Sequence, residues 1–290
     1  MYRIVRRQEL APKIVLFEIE APEVARKRKP GQFVIVRVHE HGERVPLSIA
    51  DENPEKGTIT LIVQEVGRST ARLNAKQAGD TLPTVVGPLG KPTEIHRLGR
   101  VACVGGGVGI APLHPIARAF KHAGNTVISI LGGRAEPFLI LRDEIARVSD
   151  QTILCTDDGS LGLRGVVTAP LRQLLESDEK PDAVIAVGPP IMMKKVSELT
   201  REFRVPTTVS LNSLMVDGTG MCGGCRITVG GEIKFVCVDG PEFDGHQVDF
   251  DEMLNRLAMY KEMESLAYRH AHADPHSCKL DAREREIAGR

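Results

Sequence analysis

The 290-residue chain contains no tryptophan and only eight phenylalanines and three tyrosines. So few rings leave no stacking platform for the bases of a nucleic-acid single strand. Net charge is lacking as well, since 38 Lys plus Arg balance 38 Asp plus Glu. No long-range field therefore draws a nucleic acid or an acidic lipid surface, and neither partner is expected. No run approaches the ~18 consecutive apolar residues of a membrane span, and the charged opening Met1 to Arg7 has no apolar signal core. A soluble, cytoplasmic protein is expected. The six cysteines do not make a disulfide framework, because Cys103 and Cys155 sit inside apolar runs and Cys278 stands alone in a polar tail. No internal repeat is visible, and the length suits two domains, each with its own core.

The remaining cysteines are concentrated. From Asp217 the chain reads Asp-Gly-Thr-Gly-Met-Cys-Gly-Gly-Cys-Arg, then a short polar strand ending in Cys237. Thiolates on tight glycine turns can converge on one small iron–sulfur cluster while glycine lets the backbone wrap it. Plant-type [2Fe–2S] proteins use C-x4-C-x2-C with a distant fourth cysteine. Here four residues separate Asp217 from Cys222, two separate Cys222 from Cys225, and Cys237 follows at a distance. One ligand position would then be a carboxylate. Structural zinc and plain reduced thiols compete with this reading. Zinc knuckles usually come in pairs, and only one C-x2-C is present; Gly223 and Gly224 offer little side chain for a core of buried thiols. Asp217 before a glycine can also be a simple turn former, and Asp239 and Asp244 beside Cys237 are alternative fourth ligands.

Residues 1–90 read as short strands, among them Val15–Glu20, Gln32–Val38 and Thr58–Val63, punctuated by Pro30-Gly31, Asn53-Pro54 and Gly79-Asp80. That spacing suggests a small antiparallel β-barrel. Within it, Arg44-Val-Pro46-Leu47-Ser48 puts a cation and a hydroxyl four apart on one strand face, able to hold a phosphate. Val66-Gly67-Arg-Ser69-Thr70 sets hydroxyls and backbone N–H groups at a helix start. Gly87-Pro-Leu-Gly90 forms a joint. From Arg100 the pattern becomes strand, glycine turn and helix, with strand runs at 101–104, 127–131, 152–155, 183–187 and 207–209 and helices at 111–122, 168–175 and 192–203. Alternation of this kind implies a doubly wound parallel sheet, whose ligands lie at the carboxyl ends of its strands. Gly105-Gly106-Gly107-Val-Gly109, Gly132-Gly133-Arg134, Thr156-Asp157-Asp158 and Gly188-Pro189-Pro190 each follow a strand directly. The first is not the G-x-G-x-x-G fingerprint. Residues 250–268 read as one amphipathic helix with Met253, Leu254, Leu257 and Tyr260 on one side. In the tail, His270, His272, His276 and Cys278 can be a metal site or a frayed, solvated end.

With these parts in this order, the chain resembles the ferredoxin-NADP reductase superfamily over residues 1–265. Within it, the resemblance is to the electron-transfer-subunit branch that includes the dihydroorotate dehydrogenase subunit and the small subunit of NADH-dependent reduced ferredoxin:NADP oxidoreductase. Arg44 to Ser48, with Pro46 and Leu47, is similar to that family's flavin and pyrophosphate element, and Gly67, Ser69 and Thr70 to its second pyrophosphate element. Gly105, Gly106, Gly107 and Gly109 match the turn facing the nicotinamide dinucleotide, with Gly133, Arg134 and Asp157 alongside; Gly188-Pro189-Pro-Ile-Met192 looks like the late Gly-Pro-x-x-Met signature. Pro46 replaces a common aromatic, and Val187 a frequent cysteine. Asp217 stands where dihydroorotate subunits carry the first cluster cysteine, a swap that favours the ferredoxin:NADP oxidoreductase small subunit.

The resemblance implies a β plus α/β architecture. An antiparallel FAD-binding β-barrel (1–90) would be followed by a doubly wound, parallel-sheet NAD-binding domain (91–211), a [2Fe–2S] cluster segment (212–248) held by Asp217, Cys222, Cys225 and Cys237, and a helix with a polar tail (249–290). The implied function is an NAD(P)-linked oxidoreductase subunit exchanging hydride between NAD(H) and FAD and passing single electrons to a larger flavin and iron–sulfur partner. The pair would bifurcate electrons between NADPH, ferredoxin and NAD. The alternatives are the dihydroorotate dehydrogenase subunit and, from another class, a zinc-binding interaction module. NAD is favoured over NADP, because nothing beyond Arg134 supplies cations for a 2′-phosphate.

Overall fold

Val15, Phe17 and Ile19 are buried on a strand whose alternate residues are more exposed, the pattern of a strand with one face inward. In the computed structural model, which describes residues 1–273, that strand is β2 (Ile14–Glu20). Around it the first half forms β1 (Tyr2–Ala11), α1 (Pro22–Lys27), β3 (Phe33–Arg37), β4 (Val45–Asn53), β5 (Thr58–Gln64), α2 (Arg68–Asn74), β6 (Thr81–Leu82) and β7 (Thr84–Leu89). The seven strands order as β6-β1-β2-β5-β4-β3-β7 with antiparallel pairing throughout. Its two edge strands, β6 and β7, are separated only by Pro83, so the sheet curls until its edges meet as a nearly closed barrel. Ile4, Phe17, Val34, Ile49, Leu61 and Leu82 fill the interior.

β3 is buried on both faces. Val34 and Val36 point into the barrel, whereas Phe33 and Ile35 belong to the core of the following half. The continuous apolar run of this strand is therefore the seam between the two halves.

The second half runs β8 (Arg100–Gly106), α3 (Ile110–His122), β9 (Thr126–Gly133), α4 (Arg142–Arg147), β10 (Gln151–Thr156), β11 (Leu163–Arg164), α5 (Thr168–Glu176), β12 (Ala183–Val187), α6 (Pro190–Glu202) and β13 (Thr207–Ser210). After these come β14 (Arg226–Val229), β15 (Glu232–Phe235), α7 (Val236–Asp239), β16 (Glu242–Asp244), α8 (Phe250–Ala258) and α9 (Lys261–Ala273). The main sheet orders as β11-β10-β9-β8-β12-β13-β16. All its pairs are parallel except β13 with β16. The order reverses at β8, so the crevice for a ligand falls between the ends of β8 and β12, where Gly105 pairs with Val187.

Three local expectations change. The segment after the cluster cysteines is not separate from the parallel sheet, because β16 returns as its antiparallel edge strand. Cys237 does not end a strand; β15 stops at Phe235 and Cys237 lies in the helical turn α7. That turn forms because Asp239 accepts from the Phe235 N–H at 2.7 Å and the Cys225 carbonyl from the Val236 N–H at 3.2 Å. The helix expected over 250–268 breaks at Met259 and Tyr260, since its halves anchor to different neighbours. Asp251 of α8 pairs with Lys194 of α6 at 2.6 Å, whereas Tyr268 of α9 donates to Glu65 beside the barrel at 2.6 Å. Met253 is buried and Tyr260 is exposed. Of the histidine tail, His270 and His272 fall in the backbone of α9, and His276 and Cys278 lie outside the described residues.

Candidate functional site

Three groups of expected residues lie along the seam. On β4, Pro46, Leu47 and Ser48 stand opposite Ile35, Val34 and Phe33. Arg44 precedes the strand rather than sharing a face of it with Ser48, and turns aside to donate from Nη2 to the Asp217 carbonyl at 3.1 Å. Gly67 is the N-cap of α2. Thr70 accepts from the Val66 and Gly67 N–H groups at 2.9 and 3.0 Å and donates back to the Gly67 carbonyl. Those backbone donors are thus engaged by the cap itself. The Ser69 hydroxyl and the Arg68 guanidinium both donate to Glu43, which draws the two barrel segments together next to Arg44.

The glycine edge is close-packed with one opening. A Cβ on Gly105 would stand 2.9 Å from Leu113, one on Gly106 2.4 Å from the Met192 sulfur, and one on Gly109 2.5 Å from the Val187 carbonyl. Gly188 meets Met192 in the same way at 2.6 Å. These glycines let β8, α3 and the start of α6 approach each other. Gly107 differs: its φ is +55° and nothing lies within 4 Å of where a Cβ would be. It leaves a bare backbone cradle at the switch point, as close approach of a dinucleotide requires. Asp157 donates its N–H to the Gly133 carbonyl at 3.0 Å, and Asp158 to that of Arg134 at 3.3 Å, so the neighbouring strand ends form one rim. The side chains of Arg134 and Asp157 are exposed there, and Pro189 caps the exposed start of α6.

In the cluster segment, Gly218, Gly220 and Gly223 all adopt positive φ, which turns the loop tightly back on itself. The Cys225 and Cys237 sulfurs are 3.2 Å apart and both residues are buried. Burial first, then the Cys225 hydrogen bond and charge, pushes the Cys237 thiol upward, with Asp217 adding to the effect. Asp217 accepts from the Thr219 N–H at 2.5 Å and the Cys222 N–H at 2.8 Å. The Thr219 bond, foremost among several, holds its carboxyl below the usual range. Cys222 is exposed, its sulfur accepting from the Gly224 N–H at 3.5 Å.

Among the described residues no three His, Cys, Asp or Glu side chains stand in a metal-holding arrangement by themselves. The donor set nonetheless fits an iron–sulfur group: two adjacent buried thiols, a third on the same glycine loop, and on that loop the Asp217 carboxylate, which holds the Cys222 N–H. The other two carboxylates, like Asp217, hold neighbouring N–H groups. Asp239 holds the Phe235 N–H, and Asp244 holds His246 and Gln247, each at 2.9 Å.

Sequence patterns gave no sign of two further features. Glu242 on β16 accepts from the Thr93 hydroxyl at 2.7 Å, and burial pushes its carboxyl up to about 7. Arg28, Asp51, Glu52 and Arg118 form an ion network between barrel and α3. A lone charge carries no periodicity, and only the fold brings these residues together.

Barrel, switch-point crevice and thiol loop together define an oxidoreductase of the ferredoxin-NADP reductase fold. Residues 103–198 match the oxidoreductase NAD-binding domain, and residues 212–249 the iron–sulfur cluster binding domain of dihydroorotate dehydrogenase B. The chain belongs to the family of dihydroorotate dehydrogenase B electron transfer subunits and their homologues. It is 52% identical over 91% of its length, and 93% of the other chain, to the dihydroorotate dehydrogenase B (NAD(+)) electron transfer subunit homolog of Thermotoga maritima. It is 33% identical over 82% of its length, and 94% of the other chain, to the electron transfer subunit of Desulforamulus reducens. A chain of the NADH-dependent reduced ferredoxin-NADP oxidoreductase, a structure bearing on flavin-based electron bifurcation, superposes with a TM-score of 0.88 at 50% identity, covering 93% of this chain and 97% of that one. The segment around Cys222 and Cys225 therefore belongs to an iron–sulfur domain, and the zinc module is set aside. Among the described residues no helix is long and apolar enough to cross a membrane.

Proposed function

We propose that this chain is the FAD and [2Fe–2S] subunit of a two-component oxidoreductase. It exchanges a hydride between NAD(H) and FAD, and single electrons with a larger partner subunit that itself carries flavin and iron–sulfur groups. The observation that carries this reading is the seat of the thiol loop on the barrel. A Cβ on Gly218 would come within 2.9 Å of both Ile35 and Leu89, and Cys225 and Cys237 share one core with Phe33 and Ile35. The strand beside Pro46 and Leu47 thus touches the segment proposed to hold iron.

FAD supplies the conversion between paired and single electrons, and the cluster carries single electrons alone. The protein positions these groups. Arg44, Pro46, Leu47 and Ser48, with Gly67, Ser69 and Thr70, shape the flavin side. Gly105, Gly106 and Gly109 set the crevice walls, and Gly107 lets the dinucleotide approach. Gly188 and Pro189 border it, and Gly133, Arg134 and Asp157 form the outer rim for the ribose end. Asp217, Cys222, Cys225 and Cys237 hold the cluster.

With its partner, the chain would bifurcate electrons between NADPH, ferredoxin and NAD. The 50% identical structure supports this reading. A second reading, the electron transfer subunit of an NAD-dependent dihydroorotate dehydrogenase, is favoured by the iron–sulfur domain matched at residues 212–249. The large chain that co-purifies, and whether the pair oxidises dihydroorotate or NADPH, separates the two. The five described cysteines form no disulfide, in keeping with work in the reducing cytoplasm.

Anaerobic titration with NADH tests the reading, since bleaching of a flavin band is expected and an unchanged spectrum would refute it. Asp217→Cys is expected to keep a cluster with a shifted midpoint. An identical midpoint and spectrum would remove Asp217 from the ligand set.

A further inference from the structure

Arg44 opens the segment assigned above to the flavin, yet its one hydrogen bond among the described residues reaches the thiol loop. Nη2 donates to the Asp217 carbonyl at 3.1 Å, across 173 residues of chain. Its Nε is buried without a partner among the described residues, so the guanidinium is fixed there by one bond and has a donor to spare. The Asp217 carboxylate holds the N–H groups of Thr219 and Cys222. Gly218, at φ +78°, seats the next peptide against Ile35 and Leu89. One arginine therefore pins the backbone of the residue whose side chain holds the Cys222 N–H.

We propose that Arg44 is a positioning residue for the iron–sulfur centre as well as part of the flavin segment. It fixes the Asp217 peptide and holds a permanent positive charge beside the thiol loop. A guanidinium stays protonated throughout the physiological range. Reducing a cluster adds negative charge, so a fixed cation nearby favours the reduced form, and partners outside the ligand set tune metal centres in this way. The inference rests on the reading of Asp217, Cys222, Cys225 and Cys237 as cluster ligands.

The test uses the full chain, purified anaerobically as wild type, Arg44→Gln and Arg44→Lys. Iron and flavin per chain, the electron paramagnetic resonance spectrum of the dithionite-reduced centre, and its midpoint potential are measured. Arg44→Gln is expected to alter the spectrum and shift the midpoint to more negative values, or to lose iron. Arg44→Lys, which keeps the charge, is expected to recover most of the change. An Arg44→Gln protein that loses flavin but keeps the wild-type spectrum and midpoint would overturn the proposal, leaving Arg44 to the flavin alone. If Arg44→Gln does not fold, Arg44→Met, uncharged and of similar length, is read in its place. An altered spectrum or midpoint supports the proposal, and wild-type values overturn it. Wild-type protein without iron would instead defeat the cluster reading itself, before any variant is compared.

Discussion

Arg118, two turns into α3, donates to the Asp51 carboxylate near the end of β4 at 2.8 Å. Each element also bears a proposed cofactor segment at its start, Gly107–Gly109 before α3 and Arg44–Ser48 at β4. The ion pair therefore ties the far parts of the two elements proposed to bring nicotinamide and flavin together. Beneath it lies the Arg28–Glu52 pair, with Arg28 donating also to the Ile49 carbonyl at 2.7 Å. Burial lowers Arg28 and raises Glu52 from their ordinary values, so desolvation outweighs their mutual attraction in both shifts.

The two layers should respond differently to substitution. Glu52→Ala strands the Arg28 guanidinium, whose side chain is 1% exposed, and is expected to cost about 3–5 kcal/mol. Arg118→Ala breaks a more exposed pair and is expected to cost less than about 1 kcal/mol. Chemical denaturation of both variants checks this ordering, and equal losses would contradict it.

The glycine edge separates packing from binding. Gly109→Ala drives a methyl group against the Val187 carbonyl and the Gly188 Cα at 2.5 and 2.7 Å, both backbone atoms. It is expected to destabilise the protein by about 1–3 kcal/mol or more. Gly107→Ala meets open space and costs only its left-handed backbone, about 1–2 kcal/mol. Its methyl group projects into the dinucleotide cradle, so NADH binding should weaken while iron and flavin contents stay at wild-type levels. Titration calorimetry with NADH reads this, and undiminished affinity would place the dinucleotide elsewhere.

Glu242 predicts a pH dependence. Burial raises its carboxyl from 4.5 to about 7, with the charge of Glu94 adding and the Thr93 hydroxyl opposing. The folded state thus keeps a proton that the unfolded state releases. The stability associated with this group is fully present below about 4.5 and is lost as pH rises through about 7. Glu242→Gln, which cannot ionise, should flatten that decline. Melting temperatures of the two proteins across this window should converge at low pH and separate near neutrality, and parallel curves would contradict the assignment.

The C-terminal helix α9 should depend on Tyr268. Lys13 donates to the tyrosine oxygen at 2.8 Å, and that hydroxyl donates to Glu65 at 2.6 Å. Tyr268→Phe is expected to loosen α9 by about 0.5–1.5 kcal/mol. Limited proteolysis between α8 and α9 should accelerate, and an unchanged rate would mean that the helix is held by other contacts.

Much of this architecture was legible where residues repeat with a period or stand at a turn. Val15, Phe17 and Ile19 gave a strand, the apolar runs before Gly105, Gly132 and Gly188 gave parallel strands, and the spacing of Cys222, Cys225 and Cys237 gave an iron–sulfur segment. What escaped depends on distant partners. β1, with three arginines and a glutamate among its ten residues, carries too many charges to read as a strand, and its pairing with β2 and β6 organises it. β16 is too short to carry a pattern, and Glu242 matters only because β16 brings it to Thr93. Arg44 and Ser48 were expected on one strand face; the seat of Gly218 on the barrel instead offers Arg44 the Asp217 carbonyl.

The most direct test of the central claim is an anaerobic preparation of the full chain, assayed for iron, acid-labile sulfide and flavin and examined by electron paramagnetic resonance after NADH is added. The account predicts iron and sulfide in the proportion of a [2Fe–2S] centre, bound flavin, and a cluster signal that NADH alone brings up. Protein that holds no iron, or whose iron stays silent after its flavin has been reduced by NADH, would contradict it.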